Sequence, residues 1–98
     1  MKVFNVVFID REKNAQTLLE MEMVPADRTK VLENLKTEDY CKGPLENSMH
    51  GAGRMWEFGK NISGTDIYIK IAMGRENNSV ICISFHTAEQ PLQYPYKE

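Results

Sequence analysis

Alternation of apolar and polar side chains over two neighbouring segments limits what this chain can fold into more than any other feature of its sequence. From Thr65 to Met73 isoleucines recur at every second position, and the same period returns from Ser79 to His86. Because successive side chains of a β-strand point to opposite faces, each segment predicts a strand with one apolar and one polar face. Turn-forming residues separate these segments from each other and from a third candidate strand at about 55–60. The C-terminal half is therefore predicted to be antiparallel sheet.

The pairing of these strands is predicted by matching their apolar faces. A turn over 74–78 pairs Ile69 with Ile83, and a turn over 61–64 pairs Trp56 with Ile69. The same registers put one polar set on the opposite face, consisting of Glu57, Tyr68, Lys70, Cys82, Ser84 and His86. A slip of one residue would expose several large apolar side chains at about 1.5–3 kcal/mol each, so we expect the faces to be well determined.

The N-terminal part predicts a strand followed by two short helices. The run from Val3 to Ile9 is β-prone and lacks helical periodicity, whereas 14–23 and 25–36 carry apolar residues at helical spacing. Pro25 suits the first turn of the second helix, and one more turn is expected at Thr37–Asp39. The predicted fold class is α+β, with an N-terminal strand and two short helices packed on one face of a C-terminal antiparallel sheet.

Length and composition indicate one small domain. The 98 residues are 42% apolar and 27% charged, which is ordinary for a globular protein with one core. We expect a single domain over 1–98, in which 1–42 holds the strand and helices and 43–54 is a mobile, glycine-rich loop. The three-stranded antiparallel sheet is expected over 55–86, and 87–98 is expected to be an extended tail, because it contains prolines.

Several classes of protein are not favoured by this composition. Two cysteines and two histidines without paired spacing indicate neither a disulfide framework nor a metal site, and no cofactor motif is present. The run from Val3 to Ile9 is too short for a membrane span or a signal peptide, so a cytoplasmic location is expected. The net charge of −2 argues against a broad nucleic-acid-binding surface, although 41–75 carries five basic and three acidic residues.

The chemistry predicted for the polar face is that of an acid–base site. Glu57, Tyr68, Lys70 and His86 supply a carboxylate, a phenol, an ammonium and an imidazole. Attack of a ribose 2′-hydroxyl on the adjacent phosphate needs a base for the hydroxyl proton, a cation for the added charge and an acid for the leaving oxygen, and it needs no metal. The alternative is that a one-sided antiparallel sheet has a polar outer face whatever it does, so alternation alone shows no function.

Four short motifs resemble the MqsR-type toxins of bacterial toxin–antitoxin systems. They are Glu38 to Lys42, Met55-Trp56, Ile67 to Lys70 and Ser84 to His86. The similarity runs over about 35–86, and the proline- and tyrosine-containing tail resembles one branch of these toxins. The resemblance implies a RelE-like fold and an endoribonuclease that cleaves messenger RNA. The implied partners are mRNA, a cognate DNA-binding antitoxin and, for some such toxins, the ribosome.

The resemblance also implies roles for individual residues. It puts the active-site lysine of the family at Lys42 and its catalytic tyrosine at Tyr68, whereas the family's glutamine is Glu57 here and its last basic residue is His86. An imidazole gives and takes protons near neutral pH, so the change to His86 is compatible with catalysis. We predict Glu57 as the base and His86 as the acid, with Tyr68 orienting the phosphate or sharing the acid role.

Four further residues are predicted to contact the substrate: Lys70, Arg54, His50 and Tyr94. Lys70 and Arg54 would join Lys42 in stabilising charge, His50 lies in the glycine-rich loop, and Tyr94 would stack on a base or pack on the sheet. For each of these residues the alternative is an ordinary solvated or packed side chain that does not contact the substrate. For the whole chain, the alternative to a nuclease is a non-catalytic protein-interaction or regulatory module on the same fold, which the acidic net charge also fits.

Overall fold

The computed structural model describes residues 5–45, 54–73 and 79–96, and it shows an α+β fold. The elements in chain order are β1 (Asn5–Phe8), α1 (Glu12–Glu20), α2 (Pro25–Glu33), a 3₁₀ turn (Thr37–Asp39), β2 (Tyr40–Leu45), β3 (Met55–Ile62), β4 (Thr65–Met73) and β5 (Ser79–Thr87). Within the described ranges the strands form one five-stranded sheet in the order β1-β5-β4-β3-β2. β1 is parallel to β5, and the other neighbours are antiparallel. No helix in these ranges has the length and apolar character needed to cross a membrane.

The predicted α+β class is confirmed, as are the two helices, the 3₁₀ turn and the three C-terminal strands. Two parts of the predicted architecture were wrong. The N-terminal strand joins the sheet beside β5 and does not pack on its face. The predicted loop over 43–54 begins with strand, because 43–45 belongs to β2, which pairs with β3. Among the described residues the sheet therefore has five strands where three were predicted, and the rest of that loop, 46–53, lies outside those residues.

One face of the sheet carries the main hydrophobic core. Its buried members are Leu32, Leu35, Ile67, Ile69, Ile71, Val80, Cys82 and Phe85. Leu32 belongs to α2, which thereby covers this face, and it is fully excluded from solvent together with Phe85. Burial of an apolar side chain of this size contributes about 1.5–3 kcal/mol. A second, smaller cluster is centred on Ala72 and Ile83.

A bulge in β5 changes the predicted register between β4 and β5. The pairs on its two sides are Ile69–Phe85, Lys70–Ser84 and Ile71–Cys82. Ile83 is the extra residue, and one extra residue reverses the alternation of side chains along the strand. Cys82 was predicted on the polar face, but it lies in the main core, and Ile83 lies in the smaller cluster.

The hairpin between β3 and β4 is tighter than predicted. Its turn consists of Ser63 and Gly64, whose φ angles of 52° and 85° are both positive, as in the turns that match the twist of hairpin strands. The strands consequently pair two residues further along, with Trp56 opposite Ile71 and not Ile69. Because the shift is two residues, every side chain of this hairpin stays on its predicted face.

Beyond the end of β1, side chains of α1 form hydrogen bonds with the backbone edge of β5. Asn14 donates from Nδ2 to the carbonyl of Ile83 at 3.1 Å and accepts from the backbone N–H of Phe85 at 3.0 Å. Thr17 accepts from the backbone N–H of Thr87 at 3.0 Å. Backbone groups that would otherwise be unpaired at this edge are thus satisfied, and α1 is held against the part of β5 that contains the bulge.

Candidate functional site

An open cavity of about 380 Å³ lies on the polar face of the sheet. Five of the residues predicted for this face line it: Glu57, Tyr68, Lys70, Ser84 and His86. Arg11 and Lys13 line it from the beginning of α1, and 88–92 of the tail completes the wall. The predicted polar cluster is therefore brought together in one cavity, with two additional cations.

Two rows of cross-strand partners cross this face of the sheet. The first row runs in the order Lys42, Glu57, Lys70 and Ser84. The second row runs in the order Gly59, Tyr68 and His86. Neighbouring strands are about 4.8 Å apart, so each group is within reach of its partner, and the two rows are two residues apart along each strand. The registers differ from the predicted ones, but they keep Glu57, Tyr68 and His86 on one face.

His86 and Tyr68 are neighbours in the cavity lining. Their ring centroids are 5.3 Å apart with the planes tilted by 40°. His86 is only 6% exposed, and its Nδ1 lies 3.0 Å from the carbonyl oxygen of Thr87. A ring nitrogen bonded to a carbonyl must carry the hydrogen, so Nδ1 donates. Nε2 is then the nitrogen that can exchange a proton with a bound molecule.

The phenol of Tyr68 is held in its protonated form. Partial burial raises the pKa of Tyr68 well above its ordinary value, and the negative charge of Glu57 and a hydrogen bond to that carboxylate raise it further. The hydroxyl donates to the carboxylate in this bond, because a bond that raises the pKa favours the neutral phenol. Tyr68 can therefore act as a proton or hydrogen-bond donor at neutral pH, but not as a base.

The raised pKa of Tyr68 makes stability depend on pH in alkaline solution. Above about pH 10 the tyrosine of the unfolded chain ionises while Tyr68 of the folded protein stays protonated. The stability that Tyr68 contributes is present below this pH and is lost as the pH rises further. We expect the free energy of unfolding of wild type to fall relative to Tyr68→Phe above about pH 10, measured by urea denaturation across the alkaline range. A difference between the two proteins that is independent of pH would contradict this.

Arg11 and Lys13 were not predicted as site residues. Arg11 donates from Nη1 to the hydroxyl of Ser84 at 2.9 Å. Lys13 forms an ion pair with Glu89 of the tail at 2.8 Å, and the hydrogen bond and charge of Lys13 lower the pKa of Glu89. These contacts join residues more than 70 positions apart in the chain. The only signal in the sequence is that the two cations follow a β-prone run at the beginning of a helix.

The remaining predicted site residues do not line the cavity. Lys42 is exposed in β2 opposite Glu57, and Arg54 is exposed immediately before β3. His50 lies outside the described residues. Tyr94 packs above Gly59, because a Cβ atom built on that glycine would collide with the Tyr94 hydroxyl. Of the two alternatives for Tyr94, the structure shows packing on the sheet.

The tail crosses the polar face at Gly59, next to the catalytic candidates. A Cβ atom at Gly59 would lie 2.5 Å from Leu92 Cδ1 and 2.9 Å from Tyr94 Cε1, and Gly59 is the cross-strand partner of Tyr68. Further along, the Tyr96 ring lies 5.3 Å from the ring of Tyr40. A residue without a side chain is therefore needed in β3 for the tail to reach its position.

Replacing Gly59 by valine is expected to displace the tail. The added side chain overlaps Leu92 and Tyr94, and overpacking of this kind costs about 1–3 kcal/mol. The rate at which a carboxypeptidase removes C-terminal residues should rise accordingly. In a double-mutant cycle with Tyr94→Ala, the two changes should cost less together than the sum of the single costs, since one overlapping group is gone. Additive effects would show that the glycine does not position the tail.

The described residues offer neither a metal cluster nor a reactive thiol in this cavity. In those parts of the chain no group of three or more His, Cys, Asp or Glu side chains could hold a metal ion. Burial, with the charges of Glu57 and Asp39, raises the pKa of the Cys41 thiol to about 11. Burial raises the pKa of Cys82 to about 12. Both thiols are therefore protonated at neutral pH and are poor nucleophiles.

Comparison of the chain with protein-family models, with curated proteins and with solved structures gives no match. The cavity lining supplies the carboxylates of Glu57 and Glu89, a protonated phenol, a buried imidazole whose Nδ1 is bonded to the Thr87 carbonyl, and three cations, of which Lys13 is paired with Glu89. Such a set can move a proton in each direction and can stabilise added negative charge.

Proposed function

We propose that this protein is a metal-independent endoribonuclease that cleaves messenger RNA, the toxin of a toxin–antitoxin pair with a RelE-like fold. The observation that carries the proposal is the convergence of Glu57, Tyr68 and His86 with Lys70 and Arg11 in one cavity. The order of one strand, two helices and four antiparallel strands supports it, as does the occurrence of Tyr68, Lys70 and His86 in the motifs that resemble MqsR-type toxins.

In the proposed reaction a ribose 2′-hydroxyl attacks the adjacent phosphorus and the 5′-oxygen of the next nucleotide leaves. Glu57 takes the proton of the hydroxyl, and Nε2 of protonated His86 gives a proton to the leaving oxygen. The products are a 2′,3′-cyclic phosphate and a free 5′-hydroxyl, so atoms and charge balance without a metal ion. Once Glu57 has taken the proton of the 2′-hydroxyl and no longer accepts from Tyr68, the protonated phenol can turn its O–H to the phosphate or share the acid role.

The position of Glu57 answers the main objection to a carboxylate at this site. A carboxylate repels a phosphate, but the cross-strand partners of Glu57 are Lys42 on one side and Lys70 on the other. Two flanking cations offset that repulsion. Lys42, which lies outside the cavity lining, would act through Glu57 and not on the substrate.

The proposed partner of the toxin is an antitoxin that covers the cavity. The cavity is open and is bounded on one side by the tail, so a second protein could close it. A ribosome would supply affinity for RNA that the net charge of −2 does not.

The test is cleavage of a mixed messenger RNA by the purified protein in EDTA, with and without ribosomes. We expect internal cleavage that leaves 2′,3′-cyclic phosphate ends, and no cleavage of a copy made with 2′-deoxyribose. Loss of cleavage in EDTA would reject metal independence, and cleavage of the deoxy copy would reject 2′-hydroxyl attack. No cleavage by folded protein under any condition would favour a non-catalytic interaction module. Lys30→Gln, at an exposed lysine of α2 outside the cavity, is the matched control and should cleave like wild type.

A further inference from the structure

Ser84 provides a buried hydroxyl with a hydrogen to donate. Its side chain is 1% exposed and lines the cavity, and its oxygen accepts a hydrogen bond from Arg11 at 2.9 Å. A hydroxyl that accepts from a guanidinium still has its own O–H donor. A buried donor normally has an acceptor, and the cavity is where a bound molecule could supply one.

Two cationic residues neighbour Ser84. Arg11 approaches Ser84 from the beginning of α1, and Lys70 is the cross-strand partner of Ser84 in β4. The ion pairs found in the described part of the chain neutralise Lys13 and Lys60, and include neither Arg11 nor Lys70. The guanidinium also has N–H groups beyond the one that Ser84 uses. Ser84 therefore has a guanidinium bonded to its hydroxyl and a lysine as its neighbour across the sheet.

We infer that Arg11, Ser84 and Lys70 form a phosphate-binding subsite in the cavity. A phosphate above Ser84 would accept from the guanidinium fork, from the serine hydroxyl and from the lysine ammonium, which matches the recognition of phosphate by arginine and lysine. Toward such an anion all three groups act as hydrogen-bond donors. The nearest carboxylate in the row of cross-strand partners is that of Glu57, on the far side of Lys70 from Ser84.

The substrate class follows from the second row of cross-strand partners, which contains Tyr68 and His86, and this step rests on the proposed function. His86 is two residues from Ser84 along β5, and Tyr68 is two residues from Lys70 along β4. Two residues along a strand span about 6.6 Å, so a phosphate at the subsite lies beside the acid–base pair. The subsite would therefore hold the scissile phosphodiester of a single RNA strand. Arg11, which the motifs over 35–86 do not include, becomes a substrate-binding residue.

The binding test uses inorganic phosphate and the full chain. In a ¹⁵N NMR titration at constant ionic strength, phosphate should cause saturable shifts at the Arg11 side chain and at the amides of Ser84 and Lys70, and chloride should not. Arg11→Gln should weaken binding by about tenfold or more, and Arg11→Lys by less, since it keeps the charge but not the fork. Ser84→Ala should weaken it while both cations remain. Lys30→Gln should bind like wild type, and unfolding curves check that each variant is folded.

A second titration uses a 2′-O-methyl RNA oligonucleotide, which cannot be cleaved by 2′-hydroxyl attack. Shifts at the same three residues, lost in Arg11→Gln, would place an RNA phosphate in the subsite. Saturable phosphate binding by a protein that cleaves no RNA would support the subsite and overturn the nuclease. RNA cleavage unchanged in Arg11→Gln, with no saturable phosphate shift in wild type, would overturn the subsite and leave the nuclease standing.

Discussion

Replacing His86 by alanine is expected to lower the rate of RNA cleavage by about 10²- to 10⁴-fold, the usual loss when a general acid is removed. The imidazole is almost fully buried in the cavity wall, beside Tyr68, and its Nε2 is the nitrogen available to a substrate. The measurement is single-turnover cleavage in EDTA by the wild type and the variant.

A buried histidine also contributes to packing, so a second variant is needed to separate chemistry from fold. Asparagine can keep the hydrogen bond that Nδ1 of His86 makes to the Thr87 carbonyl, but it has no group that titrates. His86→Asn should lose as much activity as His86→Ala with less loss of stability. A folded His86→Asn protein that cleaves RNA at the wild-type rate would exclude His86 as the acid.

Replacing Asn14 by alanine is expected to lower the free energy of unfolding by about 2–4 kcal/mol. The amide of Asn14 donates to the carbonyls of Ile9 and Ile83 and accepts from the N–H of Phe85, at 3.1, 3.1 and 3.0 Å. Asn14 is 4% exposed, so water cannot easily replace these bonds. The measurement is urea unfolding of the wild type and the variant.

The matched control for Asn14 is Gln16→Ala, since Gln16 is an exposed amide on the same helix. Surface substitutions of this kind usually change stability by less than about 0.5 kcal/mol. If the two alanine variants lost the same small amount of stability, the three bonds of Asn14 would not hold the edge of β5. Because Ile83 and Phe85 flank Ser84 in the sequence, we also expect Asn14→Ala to shift the backbone amide of Ser84 in NMR spectra.

Errors in the predicted registers had different consequences in the two hairpins. In the hairpin of β3 and β4 the prediction was wrong by two residues, and the face of Glu57, Tyr68 and Lys70 was still right. In β5 the bulge at Ile83 adds one residue, and Cys82 consequently lies in the core. A register error of an even number of residues keeps each side chain on its predicted face, and an error of an odd number moves it to the opposite face.

The position of α1 shows why the edge of the sheet could not be predicted. Apolar residues at helical spacing suggested the packed face of the helix, yet Leu19 is 77% exposed, whereas Asn14 and Thr17 are buried. The helix meets the backbone edge of β5, where polar side chains are needed to pair with N–H and C=O groups. A pattern of hydrophobicity carries no information about such an edge.

By itself the sequence determined the α+β class, the helices and three C-terminal strands, and the common face of Glu57, Tyr68, Lys70, Ser84 and His86. These follow from periodicity, which is a local property, and from the large cost of exposing apolar side chains. Only the tertiary structure decided the five-stranded order, the bulge, the addition of Arg11 and Lys13 to the cavity, and the passage of the tail over Gly59. Each of these depends on hydrogen bonds or close contacts between distant parts of the chain. Such pairings leave no periodic signal in the sequence, because each residue alone could pair with many other residues at similar free energy.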